Sequence, residues 1–234
     1  MKPRCTSAKR YLQCGRHRAF TRKELVVVMA ILVVLGLLIN RAIRVETRRK
    51  SHQGHCIGNL KNIGTSFRVF GYYHGEQFPF AATNPGVVNP AYQNEMDAWV
   101  HFQAVSNELG VASILTCPSD PERLPNTVRM FSELAVRKNA AISFFIGVTA
   151  DEASPTGLLI GDRGVFTNGL PGVGKIVSLT TNDSLRWQTP FHGSGGNIGF
   201  ADGSVQQIGL RDAATSYPLR ESIPTNRLLL PLVP

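Results

Sequence analysis

Glu24 stands in the setting that says most about its chemistry. It is the acidic residue at the mouth of an uninterrupted apolar run, Leu25 to Ile39, behind a leader whose charges are all positive. A carboxylate is costly to bring to hydrocarbon, and once there it gains much from a cationic partner.

Three other groups of side chains have types that could do chemistry. His192, nine residues and then Asp202-Gly203, with Asp162 as a third member, offers an acid–base pair or a metal site, but no third ligand stands at a telling spacing. The same residues read more simply as structure. Asp202-Gly203 supplies the positive φ angles of a two-residue hairpin turn. Phe200 and Val205 then oppose each other and share one face, while His192 bonds to backbone at the sheet edge. Cys56 and Cys117 form either a disulfide in an oxidising compartment or two buried thiols. With no Cys-x-x-Cys and no Cys/His cluster along the chain, a zinc site is not expected. Gly169-x-x-Gly172-x-Gly174-Lys175 lacks the spacing and the following Ser or Thr of a phosphate loop. Ser119 and Ser194 have no positioned base, and Asp151-Glu152 reads as a solvated turn. No catalytic residue, metal or cofactor is expected.

These residues must be positioned by a chain of 234 residues that is 43% hydrophobic, enough for a real core, with a formal charge of +9. Residues 1–19 carry six of the basic residues and no acid, so the remainder is only at +3. The charge belongs largely to the leader, and no Lys/Arg stripe interleaved with aromatics follows it, which argues against a nucleic-acid partner. Counted from Phe20, the apolar segment offers 20 positions, about 30 Å as a helix, the thickness of a hydrocarbon core. Eight basic residues precede the run and five follow it, offset by Glu46. That bias favours a cytoplasmic N-terminus. Leu38 to Ile43 offers no small-x-small pair for an ordinary signal peptidase.

Beyond the run, Ile57, Leu60, Ile63, Phe67 and Phe70 recur at helical spacing and form one apolar stripe. Gly54, Gly58 and Gly64 weaken that helix, with fraying expected around residues 51–55. Gly75 to Pro90 reads as the exit loop. A second helix is expected near Glu95–Leu109, with Trp99, Phe102, Val105 and Leu109 on one face. Cys117-Pro118-Ser119-Asp120-Pro121 reads as a turn. Strands are expected at Ala141–Val148, Gly157–Ile160, Ile176–Leu179, Asn197–Ala201 and Ser204–Ile208. The fold class is α+β, a long N-terminal helix on a small antiparallel sheet domain. Residues 1–19 form the leader, 20–74 the helix (20–40 transmembrane) and 75–234 the globular domain.

Ala19-Phe20-Thr21-x-x-Glu24 before the apolar run resembles the prepilin-type signal of type IV pilins and type II secretion pseudopilins. The family usually has Gly where Ala19 stands and an apolar pair at Arg22-Lys23. The resemblance implies cleavage between Ala19 and Phe20 by a prepilin peptidase, methylation of the new terminus at Phe20, and pairing of Glu24 with a neighbouring subunit's terminus. His192-x9-Asp202-Gly203 is similar to the C-terminal signature of prepilin-like proteins of planctomycete and verrucomicrobia type. Cys56-x-x-Asn59-Leu60-Lys61-x-Ile63-Gly64, Tyr73-His74-Gly75, Cys117-Pro118-Ser119-Asp120, Ile142-Ser143-Phe144-Phe145 and Gly161-Asp162-Arg163 extend that likeness to nearly the whole chain from Arg18 to about Leu210. It implies a pilin-like fold and a non-enzymatic subunit of a homo- or hetero-filament. Such a subunit is a single-pass inner-membrane protein with its globular domain in the periplasm. The alternative is an uncleaved signal anchor carrying a periplasmic binding module or enzyme.

Overall fold

The computed structural model describes residues 21–82, 97–167, 170–171, 176–180, 183, 185–187, 192, 195–209 and 225–233. The chain divides into two compact units, Met1–Glu46 and Thr47–Pro234. Helix α1, Arg22–Tyr73, contributes to both.

Thr21 and Glu24 start α1. The Thr21 N–H donates to Glu24 Oε2 at 2.8 Å, and the Glu24 N–H donates to Thr21 Oγ1 at 3.3 Å. This reciprocal pair is a capping box, satisfying two of the amides a helix N-terminus leaves open. From Thr21 to Lys50 the side chains are exposed, apart from the half-buried position at Gly36. The first part of the helix is long and apolar enough to cross a membrane.

The second part buries Cys56, Leu60, Ile63, Phe67 and Phe70. No fraying occurs at 51–55, where α1 is continuous. Each Gly costs about 1 kcal/mol of helix propensity, and each fully buried large apolar side chain contributes about 1.5–3 kcal/mol, so burial wins. At Gly64 the absence of a side chain has a use. A Cβ there would lie 3.9 Å from the Gly203 Cα, so helix and hairpin turn approach closely. The helix stops at Gly75, whose φ of +70° is the left-handed conformation common after a last turn.

The second expected helix is two short ones, α2 (Ala98–Ala104) and α3 (Ser106–Leu109), broken at Val105. A further helix, α4 (Phe131–Arg137), carries no long apolar stripe and was not expected from periodicity. Nine strands follow among the described residues: β1 (Phe144–Gly147), β2 (Leu158–Asp162), β3 (Val165–Thr167), β4 (Leu170–Pro171), β5 (Ile176–Thr180), β6 (Leu185–Trp187), β7 (Gly195–Phe200), β8 (Val205–Gly209) and β9 (Thr225–Leu229). Six form an antiparallel sheet in the order β5-β9-β1-β2-β7-β8, and β4-β3-β6 form a smaller one. The described fold is therefore α+β.

Two cores follow from strand alternation. Phe144 and Ile146 face the α1–α4 side with Leu60, Ile63, Phe67, Phe102 and Leu134. Phe145, on the opposite face, joins Trp187, Leu185, Ile198, Phe200 and Leu228.

The β7–β8 hairpin differs from the expected two-residue turn. Gly199, not Phe200, pairs with Val205. The Phe200 N–H donates to the Ser204 carbonyl, and the Gly203 N–H to the Phe200 carbonyl. The loop is thus Ala201-Asp202-Gly203, and Gly203 alone of the three has positive φ, +84°. This is the three-residue turn ending in a left-handed glycine. The extra residue places Phe200 and Val205 in different cores rather than on one face.

Candidate functional site

The sequence segments Cys56, Cys117–Asp120, Ile142–Phe145, Gly161–Arg163 and His192 meet at one place inside the Thr47–Pro234 unit. Cys56 comes from the buried stripe of α1, and Cys117 follows a 3-10 turn at Ala112–Leu115. The two are joined in a disulfide, with S–S 1.97 Å and Cα atoms 5.3 Å apart. Both residues are fully buried. Asn59, one turn beyond Cys56, donates its Nδ2–H to the Thr116 carbonyl at 3.5 Å.

After Cys117 the chain turns tightly, with the Asp120 N–H donating to the Cys117 carbonyl at 2.9 Å. Asp120 is thereby carried into the interior, where Arg163 meets it in two parallel bonds. Arg163 Nε donates to Oδ2 and Nη2 to Oδ1, each at 2.7 Å, and Nη2 reaches Glu122 Oε2 at 2.6 Å. A bidentate guanidinium–carboxylate pair is among the stronger polar contacts available. Ser143 ties the same region together through backbone, its N–H donating to the Leu115 carbonyl and its carbonyl accepting from the Arg163 N–H.

Asp162 ends β2 and points away from that pair. Its Oδ2 accepts from the Asn197 backbone N–H at 2.7 Å and from Asn197 Nδ2 at 2.9 Å, and its carbonyl accepts from Trp187 Nε1 at 3.1 Å. The Trp187 ring lies over Gly196, where a Cβ would come within 2.2 Å of it. Only glycine at that position lets the indole reach Asp162. His192 completes the cluster. Its Nε2 lies 3.4 Å from Asp162 Oδ2 and 3.5 Å from Cys117 Sγ. Both the imidazole and the carboxyl are fully buried.

Burial decides the protonation of this pair. It pushes Asp162 up to about 7, against the pull of its two Asn197 bonds and with help from the Asp120 charge. It pushes His192 down to about 4. Each group is driven toward its neutral form, so above about pH 4 the imidazole is uncharged and below about pH 7 the carboxyl keeps its proton.

His192 therefore faces a carboxyl and a disulfide rather than bonding to backbone at a sheet edge. Asp202 is not part of this arrangement. It is exposed, its Oδ1 accepting from the Ser204 N–H at 2.7 Å and its carbonyl accepting from Arg68 Nη1 at 3.0 Å. Asp151 Oδ1 accepts from the Ala153 N–H within its own turn, and Glu152 pairs with Arg68 at 3.4 Å. Ala19, Phe20, Ser194 and the 172–175 stretch of the glycine-rich loop lie outside the described residues. No Cys/His cluster is spaced along the sequence, but the fold brings such residues together. Cys56, Cys117 and His192 present ligand atoms all within 4.8 Å of one another. Separations of 61 and 75 residues hid the cluster from any reading of local spacing. Asn197 and Trp187 also escaped, because their roles rest on strand pairing and on Gly196, neither of which leaves a local signature.

A set this deeply enclosed can brace the junction of α1, β2 and β7, but in this form it presents no reacting atom to a dissolved substrate. No protein-family model matches the chain, and no curated protein or solved structure does so either.

Proposed function

We propose that this chain is a pilin-like structural subunit of a type II secretion pseudopilus or type IV pilus-like filament, anchored in the inner membrane and processed ahead of Phe20 by a prepilin peptidase. The carrying observation is α1. Its apolar first part, Leu25–Ile39, is exposed at every position but the half-buried Gly36, while its later turns bury one face in the Thr47–Pro234 unit. A helix of this kind covers its exposed apolar part with lipid before assembly and with neighbouring helices after it. The enclosure of Asp162 and His192 favours a mechanical role over a catalytic one.

Mass spectrometry of the terminal peptide from the native membrane tests processing, with methylated Phe20 expected. An intact leader would favour the plain anchor carrying a periplasmic module. Assembly is tested at Glu24 with two variants, because Glu24 also caps its own helix. Glu24→Gln keeps the capping box and removes the charge, whereas Glu24→Ala removes both. Cysteine cross-linking between subunits should be lost in both variants. Cross-linking retained in Glu24→Gln would leave Glu24 with capping alone.

A further inference from the structure

We propose that, when its thiols are reduced, the chain binds one zinc ion through Cys56, Cys117 and His192, so that this buried site closes either with a disulfide or with a metal. The inference is independent of filament assembly.

The geometry carries it. His192 Nε2 stands 3.5 Å from Cys117 Sγ and 3.4 Å from Asp162 Oδ2. The first matches the edge of a tetrahedral zinc site, since bond lengths near 2.3 Å to sulfur and 2.0–2.1 Å to nitrogen give about 3.5 Å for S···N. Cys56, Cys117 and His192 present ligand atoms all within 4.8 Å of one another. The sulfurs are bonded to each other in this state, and a zinc site needs them about 3.8 Å apart, which requires the S–S bond to be open.

The neighbouring carboxyl supplies a countercharge rather than a ligand. Asp162 Oδ2 is held by two bonds from Asn197, and its Oδ1 is buried with no hydrogen-bond partner, a state that a cation close by makes less costly. Two thiolates and one imidazole form an N/S set suited to zinc, with one position left for water.

The exchange balances. Zinc binding to the reduced chain forms two S–Zn bonds and displaces the two thiol protons to solvent. A small-molecule disulfide oxidant then takes two electrons from the zinc-bound sulfurs as the S–S bond forms and Zn²⁺ leaves, and with two protons from solvent it becomes two thiols.

The test uses the full chain in detergent, folded metal-free with its thiols reduced, and titrated with Co²⁺ as a spectroscopic stand-in for zinc. One equivalent should give a thiolate-to-cobalt charge-transfer band with the intense visible bands of tetrahedral coordination, and one equivalent of Zn²⁺ should erase them. The oxidised chain should give neither. His192→Ala should weaken Co²⁺ binding at least tenfold, with circular dichroism checking that the variant remains folded. A weak octahedral spectrum, a reduced chain that stays unfolded after cobalt is added, or unchanged affinity in the folded His192→Ala variant would overturn the proposal.

Discussion

Burial acts with opposite sign on the two titrating groups beside the disulfide, raising Asp162 to about 7 and lowering His192 to about 4. Their ordinary values are 3.8 and 6.5. From about pH 4 to about 6.5 the unfolded chain carries one proton on His192, and the folded chain carries one on Asp162. The counts are equal, so the pair leaves stability flat across that window. Single variants in the disulfide form separate the two contributions. With Asp162→Asn the unfolded state binds the extra proton, on His192, and stability should rise with pH over that window, by up to about 1.4 kcal/mol per unit. With His192→Gln the folded state holds the extra proton, on Asp162, and stability should fall as pH rises from about 4 to about 7. Urea titrations across pH read both slopes, and slopes of the same sign would rule out the assignment.

Among the elements, β7 shows how backbone spacing places the cluster. Gly196→Ala would drive a methyl into the Trp187 ring, displacing the indole from the Asp162 carbonyl. Overpacking of this kind costs about 1–3 kcal/mol. The expected result is a lower urea midpoint with shifted Trp fluorescence, and an unchanged spectrum would contradict the packing. Gly147→Ala should cost at least as much, because its Cβ would meet backbone, the Leu158 carbonyl on the paired strand, rather than a movable side chain. Legibility in the sequence follows the range of the interactions. The stripe Leu60, Ile63, Phe67 and Phe70 and the core of β1 and β2 were readable, because local periodicity determines their burial. The capping box is equally local, in Thr21-x-x-Glu24. β6 and β9 were not readable. Leu185–Trp187 and Thr225–Leu229 are short and carry Arg186, Asn226 and Arg227, so their strand character comes from partners. The site divides the same way. Its component segments stood out individually, whereas their meeting depends on long-range pairing.

For the whole molecule, the division at Glu46 and Thr47 has a direct consequence. The Thr47–Pro234 unit contains both hydrophobic cores and the disulfide. A chain beginning at Thr47 should fold without detergent and retain the Cys56–Cys117 bond, as checked by near-ultraviolet circular dichroism and mass spectrometry with and without reductant. A detergent requirement would mean that the first unit stabilises the second. Replacing both cysteines by Ser in this fragment should lower stability by about 4 kcal/mol, the value for a crosslink closing a loop of this length. Calorimetry measures the difference.

The strand order also sets a schedule. β9 lies between β5 and β1 and pairs with both. Until residues 225–229 have been synthesised, β1 and β5 present bare edges at the middle of the future sheet. β1, β2, β7 and β8 can pair without it, but β5 cannot join them until β9 arrives. During that interval those edges are open to any other extended chain, and a ribosome stalled before Thr225 would release a protein unable to close its own sheet.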